Sequence, residues 1–178
     1  MFWYALLISL VALERLAELA LSKRNIERAK AQGAVEVGFS HYPVMVVLHI
    51  GLLVGCLAEV YLLEPPFLPW LGWPMLVAVL AAQALRWWCI GTLGPRWNTR
   101  IVVLPGSTLV DRGPYRFVHH PNYVAVVVEG FALPLVHSAW ITAAVFTAAN
   151  AALLRVRIRT ENEALSRFAV RRHSSPLS

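Results

Sequence analysis

Charged residues are scarce in this sequence, and their scarcity limits the class of protein. Asp, Glu, Lys and Arg make up 15% of the 178 residues, whereas about a quarter is usual for soluble domains. Apolar residues make up 58%, which is more apolar surface than one soluble core of this length can hide. The composition therefore argues against a soluble domain and predicts a single integral membrane domain over residues 1–178.

Cysteine is also scarce, and the common catalytic motifs are missing. Cys56 and Cys89 both lie in apolar runs, which suggests core positions and no disulfide framework. The sequence has no HExxH, CxxC, GxGxxG, P-loop or GxSxG motif, so zinc, nucleotide and serine hydrolase sites are not predicted. The adjacent His119 and His120 rarely converge on one ion, and no metal is expected. The basic loops match no nucleic-acid module, so no nucleic-acid partner is expected.

Long apolar runs predict an all-α membrane protein with about five transmembrane helical segments. One crossing needs about 20 residues, and the run at 122–154 is too long for one crossing and too short for two full ones. We interpret it as a tight helical hairpin that breaks near Pro134 and His137–Ser138, because proline removes a backbone donor. The predicted segments cover about residues 1–21, 43–63, 70–90, 122–136 and 138–154. The start, MFWYALLISL, lacks the features of a signal peptide and is interpreted as a retained span.

The basic residues predict the orientation of these segments. Cations occur in two loops and in the C-terminal tail, and the connector EPPFLP has none. By the positive-inside rule, we expect the loops and the C-terminus to be cytoplasmic and the N-terminus to be outside. We expect the membrane to be a bacterial cytoplasmic membrane, and the basic loops to contact its lipid headgroups. These cations are Lys23, Arg24, Arg28 and Lys30; Arg96, Arg100, Arg112 and Arg116; and Arg155, Arg157, Arg159, Arg167, Arg171 and Arg172.

A few charged residues interrupt the predicted spans. Glu14 and Glu18 are four residues apart and share one face of a helix. We expect a helix–helix contact in which Arg15 or Arg86 compensates their charge, and the alternative is a polar pocket. Glu59, near the outer end of its span, is expected to extend its carboxylate toward the membrane surface.

Two cytoplasmic stretches carry most of the remaining chemistry. RGPYRFVHHPNY occupies residues 112–123, directly before the predicted hairpin, and RIRTENEAL occupies residues 157–165. The pattern alone leaves two interpretations open for the second stretch: a solvated amphipathic helix at the inner leaflet, or part of a catalytic site.

Together these stretches resemble the isoprenylcysteine carboxyl methyltransferases and their bacterial relatives. The family motif is similar to G-x-Y-R-x-x-R-H-P-x-Y, followed by an apolar hairpin and a pair of glutamates. The matching residues are Gly113, Tyr115, Arg116, His120, Pro121, Tyr123, Glu161 and Glu163. Two positions depart from the pattern: His119 stands where arginine is usual, and Asn162 separates the glutamates.

The resemblance implies S-adenosylmethionine as methyl donor, bound by a cytosolic loop and a C-terminal helix. Its carboxylate would be held by Arg116, His119 or His120, and its amino group by Glu161 or Glu163. The implied cofactor-binding residues are Gly113, Tyr115, Arg116, His119, His120, Pro121, Tyr123, Glu161 and Glu163, and the implied catalytic residues are Arg157, Glu161 and His120.

The acceptor implied by the resemblance is a lipidic molecule that enters from the bilayer, such as a protein C-terminal S-isoprenylcysteine carboxylate. A carboxylate is ionised at neutral pH and needs only a cation to orient it, whereas a phenolic lipid such as an alkylresorcinol needs a base. Both acceptors stay open from the residues alone. A small transporter or non-catalytic scaffold that uses the basic loops for lipid headgroups is the alternative from another class.

Overall fold

The computed structural model describes residues 2–168, and its architecture is all-α, as the sequence predicts. Arg171, Arg172 and the end of the tail lie outside the described residues. The five helices are α1 (Phe2–Ala31), α2 (His41–Leu63), α3 (Pro69–Leu93), α4 (Pro121–Leu135) and α5 (Trp140–Phe168). Short 3-10 turns occupy Gly94–Arg96 and Gly113–Arg116.

Within residues 2–168, three helices are long and apolar enough to cross a membrane: α2, α3 and α5. Helix α4 is apolar but has only 15 residues, or about 22 Å of helix, against a hydrocarbon core of about 30 Å. Helices α1 and α5 both continue beyond their predicted apolar spans, through charged sequence to Ala31 and Phe168. The number of crossings and the orientation of the termini stay predictions.

The predicted hairpin between α4 and α5 is present and breaks at the expected dipeptide. Ser138 has a positive φ of 58°, and its hydroxyl donates to the carbonyl of Pro66 over 2.9 Å. Pro134 lies inside the last turn of α4 rather than at the break itself. Farther along the hairpin, Gly130 leaves no room for a side chain against the ring of Phe146, so the two helices pack closely.

A small antiparallel sheet, which the sequence does not predict, joins the two basic loops. Strand β1 (Val35–Val37) pairs with β2 (Ile101–Val103), with Glu36 opposite Val102. Ile101 and Val103 are buried, and they pack with Ala164 of α5. This sheet therefore fixes both loops against the C-terminal helix.

The expectation for Glu59 is wrong. Its carboxylate accepts hydrogen bonds from the backbone N–H of Ile141 (3.0 Å) and from the N–H and hydroxyl of Thr142 (2.7 Å each). Backbone donors in the first turn of a helix have no partner within that helix. Glu59 therefore turns inward and caps α5.

Candidate active site

One cavity of about 430 Å³ lies where the basic loops meet the helices. Its walls include residues from α1, α2, α4, α5 and β2. One part of the lining is polar, and it comes from the loops, from the start of α4 and from the C-terminal half of α5. Another part is apolar and includes Leu16, Leu19, Val46, Ile50 and Leu53.

The polar part of the lining is organised by contacts between α4 and α5. The Tyr123 hydroxyl donates to Glu161 Oε2 over 2.6 Å, and His120 Nδ1 lies 3.8 Å from the same oxygen. His120 directly precedes Pro121, the first residue of α4, where proline is well tolerated. One turn later Tyr123 lies beside His120, with ring centroids 5.4 Å apart. The HPxY sequence therefore directs both rings toward Glu161.

Asn162 has a contact that the sequence interpretation missed. Its Oδ1 lies 3.0 Å from His120 Nε2. The residue that interrupts the glutamate pair therefore helps to orient the histidine. The departure from the family pattern was visible in the sequence, but its partner was not.

Arg157 contributes a buried guanidinium to the cavity. Only 5% of the residue is exposed, and its Nη2 donates to the carbonyl of Thr99 over 2.9 Å. The guanidinium lies 5.9 Å from the centroid of the Tyr123 ring. Its Nε has no hydrogen-bond partner in the part of the chain that the structure describes. Arg157 precedes Glu161 by four residues, so the two share a face of α5.

Tyr115 lines the cavity from the 3-10 turn. Burial, and then the neighbouring Cys89 thiol, raises the pKa of Tyr115 well above its usual value. The hydroxyl therefore stays neutral at physiological pH, where it can donate or accept a hydrogen bond.

The cavity walls include five of the predicted site residues: Tyr115, His120, Tyr123, Arg157 and Glu161. The other five, which do not line it, are Gly113, Arg116, His119, Pro121 and Glu163.

Gly113 and Pro121 do not line the cavity, but they determine the backbone conformation of the loop that does. Gly113 has φ of 59°, and a Cβ at this position would collide with the Thr92 side chain. Pro121 is buried at the start of α4. Both support the geometry of the loop through the backbone.

The remaining three residues outside the cavity have exposed side chains. Glu163 pairs with Arg159, one turn earlier on the surface of α5, over 2.9 Å. His119 and Arg116 are exposed. The carboxylate that reaches the cavity is therefore Glu161 rather than Glu163.

A second polar group lies inside the helical bundle, next to the cavity. We call Glu14, Arg15, Glu18, Arg86 and Glu129 the inner charge cluster. Arg15 Nη1 lies 2.8 Å from Glu18 Oε2 and Arg15 Nη2 lies 3.5 Å from Glu129 Oε2, while Arg86 is paired with Glu129. Arg86 Nε also lies 3.6 Å from Glu18 Oε1. The expected compensation of the α1 glutamates by arginine is thus observed, and it involves both arginines. Arg15, Glu18 and Arg86 also line the cavity, so the contact and the polar pocket coexist.

A third group of charges holds β1 at the edge of the cavity. Glu36 accepts from Lys30 Nζ (2.6 Å) and from Arg100 Nη1 (2.9 Å), and Arg100 lies 4.4 Å from the Tyr42 ring centroid. Burial raises the pKa of Glu36, but the hydrogen bonds from Lys30 and Arg100 outweigh it and lower the pKa below its ordinary value.

Comparison with known proteins gives a family and two bacterial relatives. The sequence model of the isoprenylcysteine carboxyl methyltransferase (ICMT) family matches residues 75–167, a range that contains His120, Tyr123, Arg157 and Glu161. The chain is 42% identical over 172 residues to the uncharacterized protein YpbQ of Bacillus subtilis (strain 168), covering 96% of this chain and 100% of that protein. It is 26% identical over 155 residues to an uncharacterized protein of Haemophilus influenzae, covering 85% and 88% of the two chains.

Proposed function

Because the chain belongs to the isoprenylcysteine carboxyl methyltransferase family, we propose that it is an S-adenosylmethionine-dependent O-methyltransferase of a membrane-embedded amphiphile. Membership of the family supports a membrane methyltransferase. The cofactor, the acceptor and the roles of individual residues belong to the proposal.

The observation that carries the proposal is the mixed lining of one cavity. Its polar walls hold Arg157 and Glu161, and its apolar walls include Leu16 and Ile50. Leu16 is 61% exposed and Ile50 is 56% exposed, so these walls continue onto the outer apolar faces of α1 and α2. Such a cavity allows a polar donor from the cytosol and a hydrophobic acceptor from the bilayer to meet.

The polar walls fit the amino-acid end of S-adenosylmethionine. A carboxylate matches the Arg157 guanidinium, and Arg157 lines the cavity. An ammonium group matches Glu161, and the faces of Tyr123 and His120 suit either adenine or the sulfonium. When bound, the cofactor supplies an electrophilic methyl group.

The protein would accelerate transfer mainly by orientation. Methyl transfer is an in-line displacement, so holding the donor and acceptor in line lowers the barrier. The hydrogen bonds from Tyr123 to Glu161 and from His120 to the Asn162 side-chain oxygen hold these side chains in place. The apolar walls exclude water from the reacting atoms.

Two acceptors are consistent with these residues. The family suggests a prenylcysteine carboxylate, which would be oriented by a cation such as Arg157. The second candidate, a phenolic lipid, is favoured by His120 and Glu161 in the cavity, since either could accept its proton. Methylation of both acceptors gives an O-methyl product and S-adenosylhomocysteine.

Binding and transfer assays on the detergent-purified protein test the proposal. We expect calorimetry to detect binding of S-adenosylhomocysteine, and labelled S-adenosylmethionine to transfer its methyl group to N-acetyl-farnesylcysteine or to an alkylresorcinol. A folded sample that neither binds S-adenosylhomocysteine nor labels an acceptor would favour the transporter or scaffold instead.

We also propose that the protein lies in a bacterial cytoplasmic membrane, with the N-terminus outside and the C-terminus in the cytoplasm. In that orientation both basic loops, the polar walls of the cavity and lipid headgroups share the cytoplasmic side. Ser107→Cys should react with an impermeant thiol reagent only after the cytoplasmic side is opened. Cys56 and Cys89 are buried and give little background, and labelling of position 107 from outside would contradict the orientation.

A further inference from the structure

A small groove lies on the outer surface of the protein, where the loop before α4 packs against α3 and α4. Its volume is about 110 Å³, and every residue in its walls is apolar. The walls come from α3, from the segment around the second 3-10 turn and from the start of α4: Leu85 and Trp88; Pro114, Phe117 and Val118; Pro121 and Val124. None of these residues lines the large cavity, so the groove is a separate feature of the surface.

The side chains that form this groove are unusually exposed for apolar residues. Phe117 is 72% exposed, Trp88 is 52% exposed, Val118 is 44% exposed and Val124 is 41% exposed. Phe117 and Val118 lie in a loop that also carries arginines, rather than on a helix that crosses the bilayer. Adjoining exposed apolar side chains of this size indicate a site for a membrane or another partner.

Tryptophan residues of α3 place the groove at the edge of the hydrocarbon core. Trp70 at the start of α3 is 71% exposed, and Trp88 near its end is 52% exposed. They are 18 residues apart, or about 27 Å along the helix, which is close to the core thickness of about 30 Å. Tryptophan is enriched at both interfaces of a membrane. Because Trp88 also lines the groove, the groove lies near the level where lipid headgroups meet acyl chains.

The loop supplies positive charge beside these apolar walls. The Arg116 guanidinium lies 5.7 Å from the centroid of the Phe117 ring, and Arg112 directly precedes the 3-10 turn. Both arginines are exposed, and neither forms an ion pair with a carboxylate among the described residues. Asp111 contributes one negative charge, so residues 111–118 have a net charge of +1. An anionic headgroup is complementary to this segment.

We propose that the groove binds one acyl chain of an anionic phospholipid, whose phosphate is held by Arg116 and Arg112. Walls without polar side chains suit an acyl chain, which has no hydrogen-bonding group to satisfy. The family resemblance assigns Arg116 to the cofactor, but this residue does not line the cavity, and its guanidinium lies beside Phe117. The lipid site therefore does not depend on the proposed methyltransferase activity.

Quenching of tryptophan fluorescence by brominated lipids tests the site. The purified protein is placed in phosphatidylcholine nanodiscs that contain the same fraction of brominated phosphatidylglycerol or of brominated phosphatidylcholine. The chain has seven tryptophans, so each protein is measured with and without Trp88→Phe. This substitution keeps an aromatic wall and removes the reporter in the groove, and the difference isolates the signal of Trp88.

We expect brominated phosphatidylglycerol to quench Trp88 of the wild type with a relative binding constant at least about fivefold above that of brominated phosphatidylcholine. Arg116→Gln should lower this preference about fivefold, as for one cation at an anionic surface. Arg28→Gln removes an exposed cation at the end of α1 and should preserve the preference.

The apolar wall has its own matched pair of variants. Phe117→Ser should weaken the quenching of Trp88 by both lipids, because the acyl chain loses its most exposed contact. Leu109→Ser changes an apolar residue of the same loop that is 40% exposed and does not line the groove. It should leave the quenching at the wild-type level.

Several outcomes overturn the inference. Equal quenching of wild-type Trp88 by the two lipids would refute an anionic site, even if a variant does not fold. An equal loss of preference in Arg28→Gln and Arg116→Gln would reduce the effect to general surface charge and refute the role of Arg116. Full quenching in Phe117→Ser would exclude the groove as the position of the chain. The assay uses no cofactor, so a wild type that prefers phosphatidylglycerol but binds no S-adenosylhomocysteine would support the lipid site and refute the proposed function.

Discussion

Replacing Glu161 by glutamine is the most direct test of the cofactor site. The change keeps the size of the side chain and removes the charge proposed to hold the ammonium group of the donor. A hydrogen bond to a charged group contributes about 1.5–3 kcal/mol. The Glu161 side chain is 29% exposed, so solvent screening favours the lower end of that range. At about 1.4 kcal/mol for each factor of ten, we expect the Kd for S-adenosylhomocysteine to rise about tenfold.

Glu163 supplies the matched control on the same helix. Its carboxylate pairs with Arg159 on the surface, and its side chain is 66% exposed. Glu163→Gln should therefore change the Kd less than twofold, and both variants should keep the thermal unfolding midpoint of the wild type within a few degrees. Titration calorimetry in detergent at neutral pH measures the affinities. Equal weakening by both substitutions, or a weakening by Glu163→Gln alone, would refute the assignment of the carboxylate.

Three further predictions concern the elements that support the site. Gly113→Ala should lower thermal stability and cofactor affinity, with a cost of about 1–3 kcal/mol for the strained φ and the clash with Thr92. In the control Gly91→Ala the added Cβ meets nothing within 4 Å, so stability and affinity should stay at the wild-type level; an unchanged unfolding midpoint for Gly113→Ala would contradict the prediction. The pKa of Glu36 is lowered in the folded protein, so its ionised form stabilises the fold above the unfolded pKa, near 4.5, and this stability is lost as the pH falls through the folded value. Thermal unfolding midpoints recorded from pH 3.5 to 6.5 should therefore fall more steeply at the acid end for the wild type than for Glu36→Gln, and parallel profiles would exclude the effect. Glu59→Ala should lower the free energy of unfolding by about 1–2 kcal/mol through loss of the α5 cap, and a denaturant titration that finds no loss would count against the capping role.

The sequence by itself determined the class of the protein and the positions of its helices. In a bilayer, a helix satisfies its own backbone groups, so apolar runs near 43–63 and 70–90 leave little choice of structure. The break at His137–Ser138 and the start of α4 at Pro121 were also local, because proline and a tight turn act on neighbouring residues. The family resemblance likewise depended on short segments, and these supplied the five site residues that line the cavity.

Only the tertiary structure decided which polar groups meet. His120 and Asn162 are 42 residues apart, Arg86 and Glu129 are 43 apart, and Glu59 and Thr142 are 83 apart. Hydrophobic periodicity locates a helix in the sequence but does not specify how that helix is rotated against its neighbours. The three-residue strands β1 and β2 are too short to show an alternating pattern. That packing decided that Glu161 and not Glu163 lines the cavity, and that Glu18 is part of the cavity wall. A side chain faces a cavity only when the rotation of its helix about the helix axis directs it inward.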